Sequence, residues 1–105
     1  MINEIVTASG IPFRETQWVG HPPAGTYGIW TDDVEADGSD DMAAAVLTHS
    51  ITIELYAPKP DPKAEQSIES LLKTWGLKWT KQSRLWLMDV QRYQTIYEFT
   101  YITKS

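Results

Sequence analysis

The 105-residue, 12.0 kDa chain is long enough for one hydrophobic core and too short for two. With 42% hydrophobic, 11% aromatic and 22% charged residues it is not globally disordered, and with no cysteine it has no disulfide scaffold, thiolate metal site or cysteine nucleophile. A net charge of −5 argues against a generic phosphate-binding surface.

In chain order, Ile2, Ile5 and Val6 recur at helical spacing ahead of Gly10 and Pro12, which predicts a short helix with a glycine stop. Residues 11–28 mix Pro12, Gly20, Pro22, Pro23 and Gly25 with Phe13, Trp18 and Tyr27, the pattern of one short strand followed by a proline-rich turn. Tyr27-Gly28-Ile29-Trp30-Thr31 reads as a strand running into an acidic stretch. Residues 32–41 hold six acids (Asp32, Asp33, Glu35, Asp37, Asp40 and Asp41) with Gly38 and Ser39, a composition expected of a solvated loop.

From Ala45 the pattern becomes strictly alternating. Ala45, Leu47, His49, Ile51, Ile53 and Leu55 form an apolar face interrupted only by His49, and Thr48, Ser50, Thr52 and Glu54 lie on the other. Pro58, Pro60 and Pro62 end this strand. Asp61 and Pro62 then suit the cap and first turn of a helix, whose stripe of Ala64, Ile68, Leu71, Leu72 and Trp75 is closed by Gly76. Glu65 and Glu69 fall off that stripe, so an exposed Glu69–Lys73 pair is expected. A strand over Leu77 to Lys81, a turn at Gln82-Ser83-Arg84, a strand over Leu85 to Met88, and a long strand from Val90 to Ile102 complete the chain. The last carries large residues on both faces, which places it centrally or under cover on both sides. The expected fold is α+β: a single domain over residues 1–105, built as a twisted, mainly antiparallel sheet with two helices packed on one face.

The charge is unevenly divided. Residues 1–57 carry nine acids against Arg14 alone, a charge of −8, and residues 58–105 carry eight bases against five acids, a charge of +3. Such polarity steers copies of one chain head to tail. The acids at 32–41 are therefore expected to face a neighbour's Lys78, Lys81 and Arg84, or to line a lumen from which DNA is repelled. Trp86 lies on the opposite strand face from Leu85 and Leu87 and is the candidate exposed interface anchor.

Chemical motifs are sparse. Asp33-Val34-Glu35-Ala36-Asp37-Gly38 matches the first half of a calcium loop, but its twelfth position is Ala44 rather than glutamate, and strands flank it in place of helices. A carboxylate-based divalent-metal binder built on Asp33, Glu35 and Asp37 is thus the alternative from a different functional class. His21 and His49 are the only histidines, and no nucleophile elbow, phosphate loop or dinucleotide fingerprint occurs, so neither catalysis nor a cofactor is expected. Lys78-Trp79-Thr80-Lys81 and Arg84-Leu85-Trp86 interleave bases with aromatics as a single-strand nucleic-acid binder would, against a sequence pI near 4.8. No apolar run approaches the roughly 18 to 20 residues of a membrane span, and Met1-Ile2-Asn3-Glu4 lacks a secretion signal's basic start, so a soluble intracellular protein is expected.

The sequence is similar to small tail proteins of long-tailed bacteriophages and prophages. The likeness is carried by Tyr27-Gly28-Ile29-Trp30, Glu35-Ala36-Asp37-Gly38, Ile53-Glu54-Leu55-Tyr56, the helix from Glu65 to Leu72, and Tyr93-Gln94-Thr95-Ile96-Tyr97-Glu98-Phe99. Within that group it most resembles tail terminator proteins. The resemblance implies a homo-oligomer, usually a hexameric ring, that caps the tail tube, ends its polymerisation and offers a head–tail joining surface; tail-completion and head–tail connector proteins are neighbouring roles. Implied partners are the major tail tube protein and the head–tail connector, with genomic DNA passing unbound through the lumen and no membrane. The implied location is the virion tail, and the host cytoplasm during assembly.

Overall fold

The computed structural model describes residues 1–37 and 46–104. In chain order they form α1 (Ile2–Ala8), β1 (Phe13–Glu15), β2 (Tyr27–Asp37), β3 (Val46–Ala57), α2 (Pro62–Thr74), β4 (Trp79–Lys81), β5 (Leu85–Leu87) and β6 (Arg92–Lys104). The strands make one sheet in the order β1-β2-β3-β6-β4, with β5 also paired to β6. Every pairing is antiparallel except β1 with β2, which is parallel. The expected α+β architecture is the one observed.

Its physical basis is the alternation of β3. Ile51, Ile53 and Leu55 are buried on one face, and the register sets Trp30 beside Ile53 beside Tyr97, with Ile51 beside Phe99. Ile2, Ile5 and Val6 of α1 and Ile68 and Leu72 of α2 pack onto that row, so both helices cover the same face. The long final strand is central, between β3 on one side and β4 and β5 on the other, the first of the two placements expected of it.

α2 starts and stops where its sequence directs. Asp61 Oδ1 accepts from the Ala64 N–H at 3.2 Å while Oδ2 accepts from the Thr26 hydroxyl at 2.6 Å, and Pro62 occupies the first turn. At the other end Gly76, at φ +71°, donates to Lys73 O at 2.9 Å and Leu77 donates to Leu72 O at 3.0 Å, a Schellman closure.

Three expectations are corrected. Residues 32–37 are strand, because each pairs with a residue of β3, from Asp32 with Ile51 to Asp37 with Val46; a ready partner overrides the poor strand propensity of aspartate. Trp75 is 41% exposed, not core: it is the C-cap of α2, where the backbone leaves the helix and the apolar stripe ends. Glu65 is buried and Glu69 pairs with Lys81 instead of Lys73. Among the described residues no helix is long and apolar enough to cross a membrane.

Candidate functional site

The helices cover only part of the sheet. Residues 31–37 of β2, 46–50 of β3 and 100–104 of β6 continue beyond the buried core as a three-stranded arm in a molecule about 50 Å long and 22 Å thick. Leu47 and His49 sit on the core face of β3 but are only half-buried, because the apolar alternation outruns the helices.

The acidic residues are distributed on this arm. Asp32 and Val34 lie on the helix side of the sheet, in the rows of Ile51 and His49, while Asp33 and Glu35 point to the opposite side. Asp33, Val34 and Glu35 are exposed and Asp32 is half-buried. The backbone of Asp37 ends β2 opposite Val46; Asp40 and Asp41 lie outside the described residues. Asp33, Glu35 and Asp37 therefore follow one another at every second position of an extended strand, about 7 Å apart. Ligands of a calcium loop must instead curl around one ion, so the half-loop match has no counterpart in the fold. Among the described residues no three His, Asp or Glu side chains converge as a metal site would need.

Asp32 is already engaged. His49 donates from Nδ1 to Asp32 Oδ2 at 2.9 Å, its Nε2 lies 2.9 Å from Thr103 Oγ1, and its ring stacks on Tyr101 at 4.4 Å and 5°. This carboxylate–imidazole–hydroxyl order, drawn from three strands, is invisible in the sequence because 17 and 54 positions separate the partners. It has the order of a nucleophile triad. It stands on the open arm, however, and the concavities found among the described residues are lined by other side chains. Its evident effect is to tie β2, β3 and β6 together where no helix supports them.

The expected basic partners are mostly occupied within the chain. Lys81 Nζ donates to Glu65 Oε1 at 3.0 Å and to Glu69 Oε2 at 2.7 Å, and Arg84 holds Glu65 through Nε and Nη2. Thr95 and Tyr97 complete the cluster, donating to Glu65 at 3.3 Å and Glu69 at 2.7 Å. Burial alone would raise both carboxyls, but Arg84 and Lys81 at Glu65, and Lys81 and Tyr97 at Glu69, outweigh it and hold both below the ordinary range. Lys81 is correspondingly raised, first by Glu69 and then by Glu65. Lys81 and Arg84, each more than a third exposed, thus already hold acids of their own chain. Lys78 is exposed and makes no ion pair among the described residues. Of the basic–aromatic run read as a nucleic-acid surface, Lys81 and Arg84 are thus paired within the chain and Trp79 packs on the core.

Trp86 is 43% exposed and sits edge-on to Tyr93 at 4.9 Å. Leu85, Met88 and Val90 are also exposed, so the β5–β6 hairpin presents apolar side chains on both of its faces at the end of the sheet away from the arm. The sequence pointed to Trp86 alone, because Leu85 and Leu87 read as the inward face of a strand; the register instead sets Trp86 beside Tyr93 on the helix side and turns Leu85 and Leu87 to the opposite face, where Leu85 is exposed.

No family model matches this chain, and no curated protein matches it. Its fold does match solved structures. A chain from the virion of the native gene transfer agent (GTA) particle aligns with a TM-score of 0.64 at 14% identity, over 96% of this chain and 84% of that one. A second solved chain aligns with a TM-score of 0.58 at 12% identity, over 98% and 86%. At these identities the likeness is one of fold.

Proposed function

We propose that this chain is a non-enzymatic structural component of a phage-like virion, and within that class a tail terminator: a homo-oligomeric ring, of six copies in the reading favoured by its sequence resemblance, that caps the tail tube and offers the head–tail joining surface. The observation that carries this reading is the near full-length match of its fold to a chain of the gene transfer agent virion, reached independently of the sequence resemblance to phage tail proteins.

The surfaces described above supply means of assembly. The β5–β6 hairpin leaves Trp86, Leu85, Met88 and Val90 exposed, and an exposed tryptophan of this kind is the side chain that most often anchors an interface. The acidic arm and the apolar hairpin lie at opposite ends of a long molecule, so one end can contact neighbouring copies while the other meets a different virion protein. The arm's acids also suit a lumen through which DNA passes without sticking.

The test is to purify the chain and measure its mass by light scattering over a range of concentration and salt, alone and with tail tube protein. Discrete oligomers, and tubes shortened in proportion to the chain added, are the expected outcome. A monomer at every concentration with no effect on tube length would refute the reading.

A further inference from the structure

We propose that the outer edge of β2, over residues 32–37, pairs in parallel with the outer edge of β6, over residues 100–104, of a second copy, so that the sheet continues from subunit to subunit. The inference rests on the reading of the chain as a self-assembling component and says how its copies join.

Two edges of the arm are open among the described residues. β1 pairs with β2 only as far as Trp30, and the chain departs at Thr16, at φ +70°. β4 pairs with β6 only as far as Phe99. The direction of the backbone groups beyond those points follows from the bonds just before them. Gly28 N–H donates to Pro12 O and Trp30 O accepts from Thr16 N–H, both at 2.8 Å, so even-numbered residues of β2 turn their backbone groups outward; the two-residue period carries this to 32, 34 and 36. On β6, Ile96 O accepts from Gln82 N–H at 2.9 Å, so 100, 102 and 104 turn theirs to the opposite edge. Each edge is a row of unpaired donors and acceptors, which native sheets either block or pair.

Charge and direction select the partner. Two β2 edges would bring Asp33 and Glu35 against their own copies, whereas the β6 edge carries Lys104 and the 65% exposed Ile102. β2 and β6 are each antiparallel to β3 and so run the same way, which makes the joint parallel, with the helices of successive copies on one side. β2 already takes a parallel strand on this same edge, from β1. In phase, Glu35 meets a neighbour's Ile102, and Val34, 47% exposed, meets Tyr101. Such a head-to-tail contact is heterologous, the kind that closes into rings. The arm is three strands wide and the body five, so copies joined along their arms splay at their bodies.

The absence of native cysteine makes a direct test clean. Within one chain positions 35 and 102 are separated by β3, about 10 Å apart and beyond disulfide reach. Mild oxidation of the E35C/I102C double variant should therefore give a ladder of covalently linked multimers, while each single variant stops at dimers. A second variant, V34P, removes an outward N–H on an edge strand, where proline is tolerated; its circular dichroism should match the parent while its mass falls to that of the monomer. Assembly by the parent without a covalent ladder, or undiminished assembly of folded V34P, overturns the pairing and leaves self-assembly standing. A parent that stays monomeric with and without tail tube protein overturns both.

Discussion

Arg84, in the turn leading to β5, grips Glu65 of α2 from two sides, with Nε on Oε2 and Nη2 on Oε1 at 3.2 Å, and Glu65 is left only 5% exposed. The contact fastens the β4–β5 segment to the helix, because neither short strand has core-forming residues enough to hold itself. Truncating Glu65 to alanine leaves Arg84 and Thr95 without their acceptor and Lys81 with Glu69 alone. Removing one partner of a buried pair costs about 3 to 5 kcal/mol; Lys81 and Arg84 are more than a third exposed, so solvent compensates them and a loss of about 2 kcal/mol is expected. Urea unfolding of E65A against the parent measures it.

The same cluster sets the response to pH. Glu65 and Glu69 titrate below their ordinary values in the folded chain, so the stability they contribute is fully present above the unfolded value of about 4.3 and is lost as pH falls through their lowered folded values. Tyr97 is raised, first by burial and then by its bond to Glu69, so its contribution is present below about pH 10 and is lost above it. Thermal melts should show a plateau at neutral pH with loss on both sides, and E65Q should flatten the acid limb.

Gly28 is required by its neighbour rather than by its backbone angles. A Cβ at this position would lie 2.2 Å from Cε1 of Phe13, whose ring packs against the core. Gly28→Ala should destabilise the chain by about 1 to 3 kcal/mol, the range of an overpacked site. Shrinking the ring with Phe13→Leu should recover part of that loss, a coupling that a double-mutant cycle on urea midpoints reads directly.

Asp61 bonds both the start of α2 and the Thr26 hydroxyl 35 positions away. Asp61→Ala should cost about 1 to 2 kcal/mol, at the upper end for a lost cap. Thr26→Val should cost less, since it leaves the helix cap in place; chemical denaturation of both variants tests the order.

The fold was legible in the sequence wherever a local pattern decided the outcome. The alternation of Ile51, Ile53 and Leu55, the Asp61-Pro62 start and the Gly76 stop of α2 each act over a few residues, and all appear as expected. What could not be read depended on partners distant in sequence. Acidic residues 32–37 became strand because β3 lay beside them, and Glu65 left the exposed face because Arg84, 19 positions on, returned to it. Of the candidate interface residues, Trp86 is exposed, but not for the reason its alternation suggested: it pairs with Tyr93 on the helix side of the sheet, and Leu85 on the opposite face is exposed as well. That Lys81 and Arg84 pair with Glu65 and Glu69 of their own chain was not legible, because a count of charges cannot show which are already paired. Among the described residues the strands of the acidic half, β1, β2 and β3, fill one side of the sheet, and those of the basic half, β6, β4 and β5, the other.

The most direct measurement of the central claim is electron microscopy of tail tubes assembled with and without this chain. The account expects tubes of limited length, each bearing at one end a closed ring of density that is absent when the chain is withheld. Tubes of unrestricted length with bare ends, in the presence of excess folded chain, would contradict it.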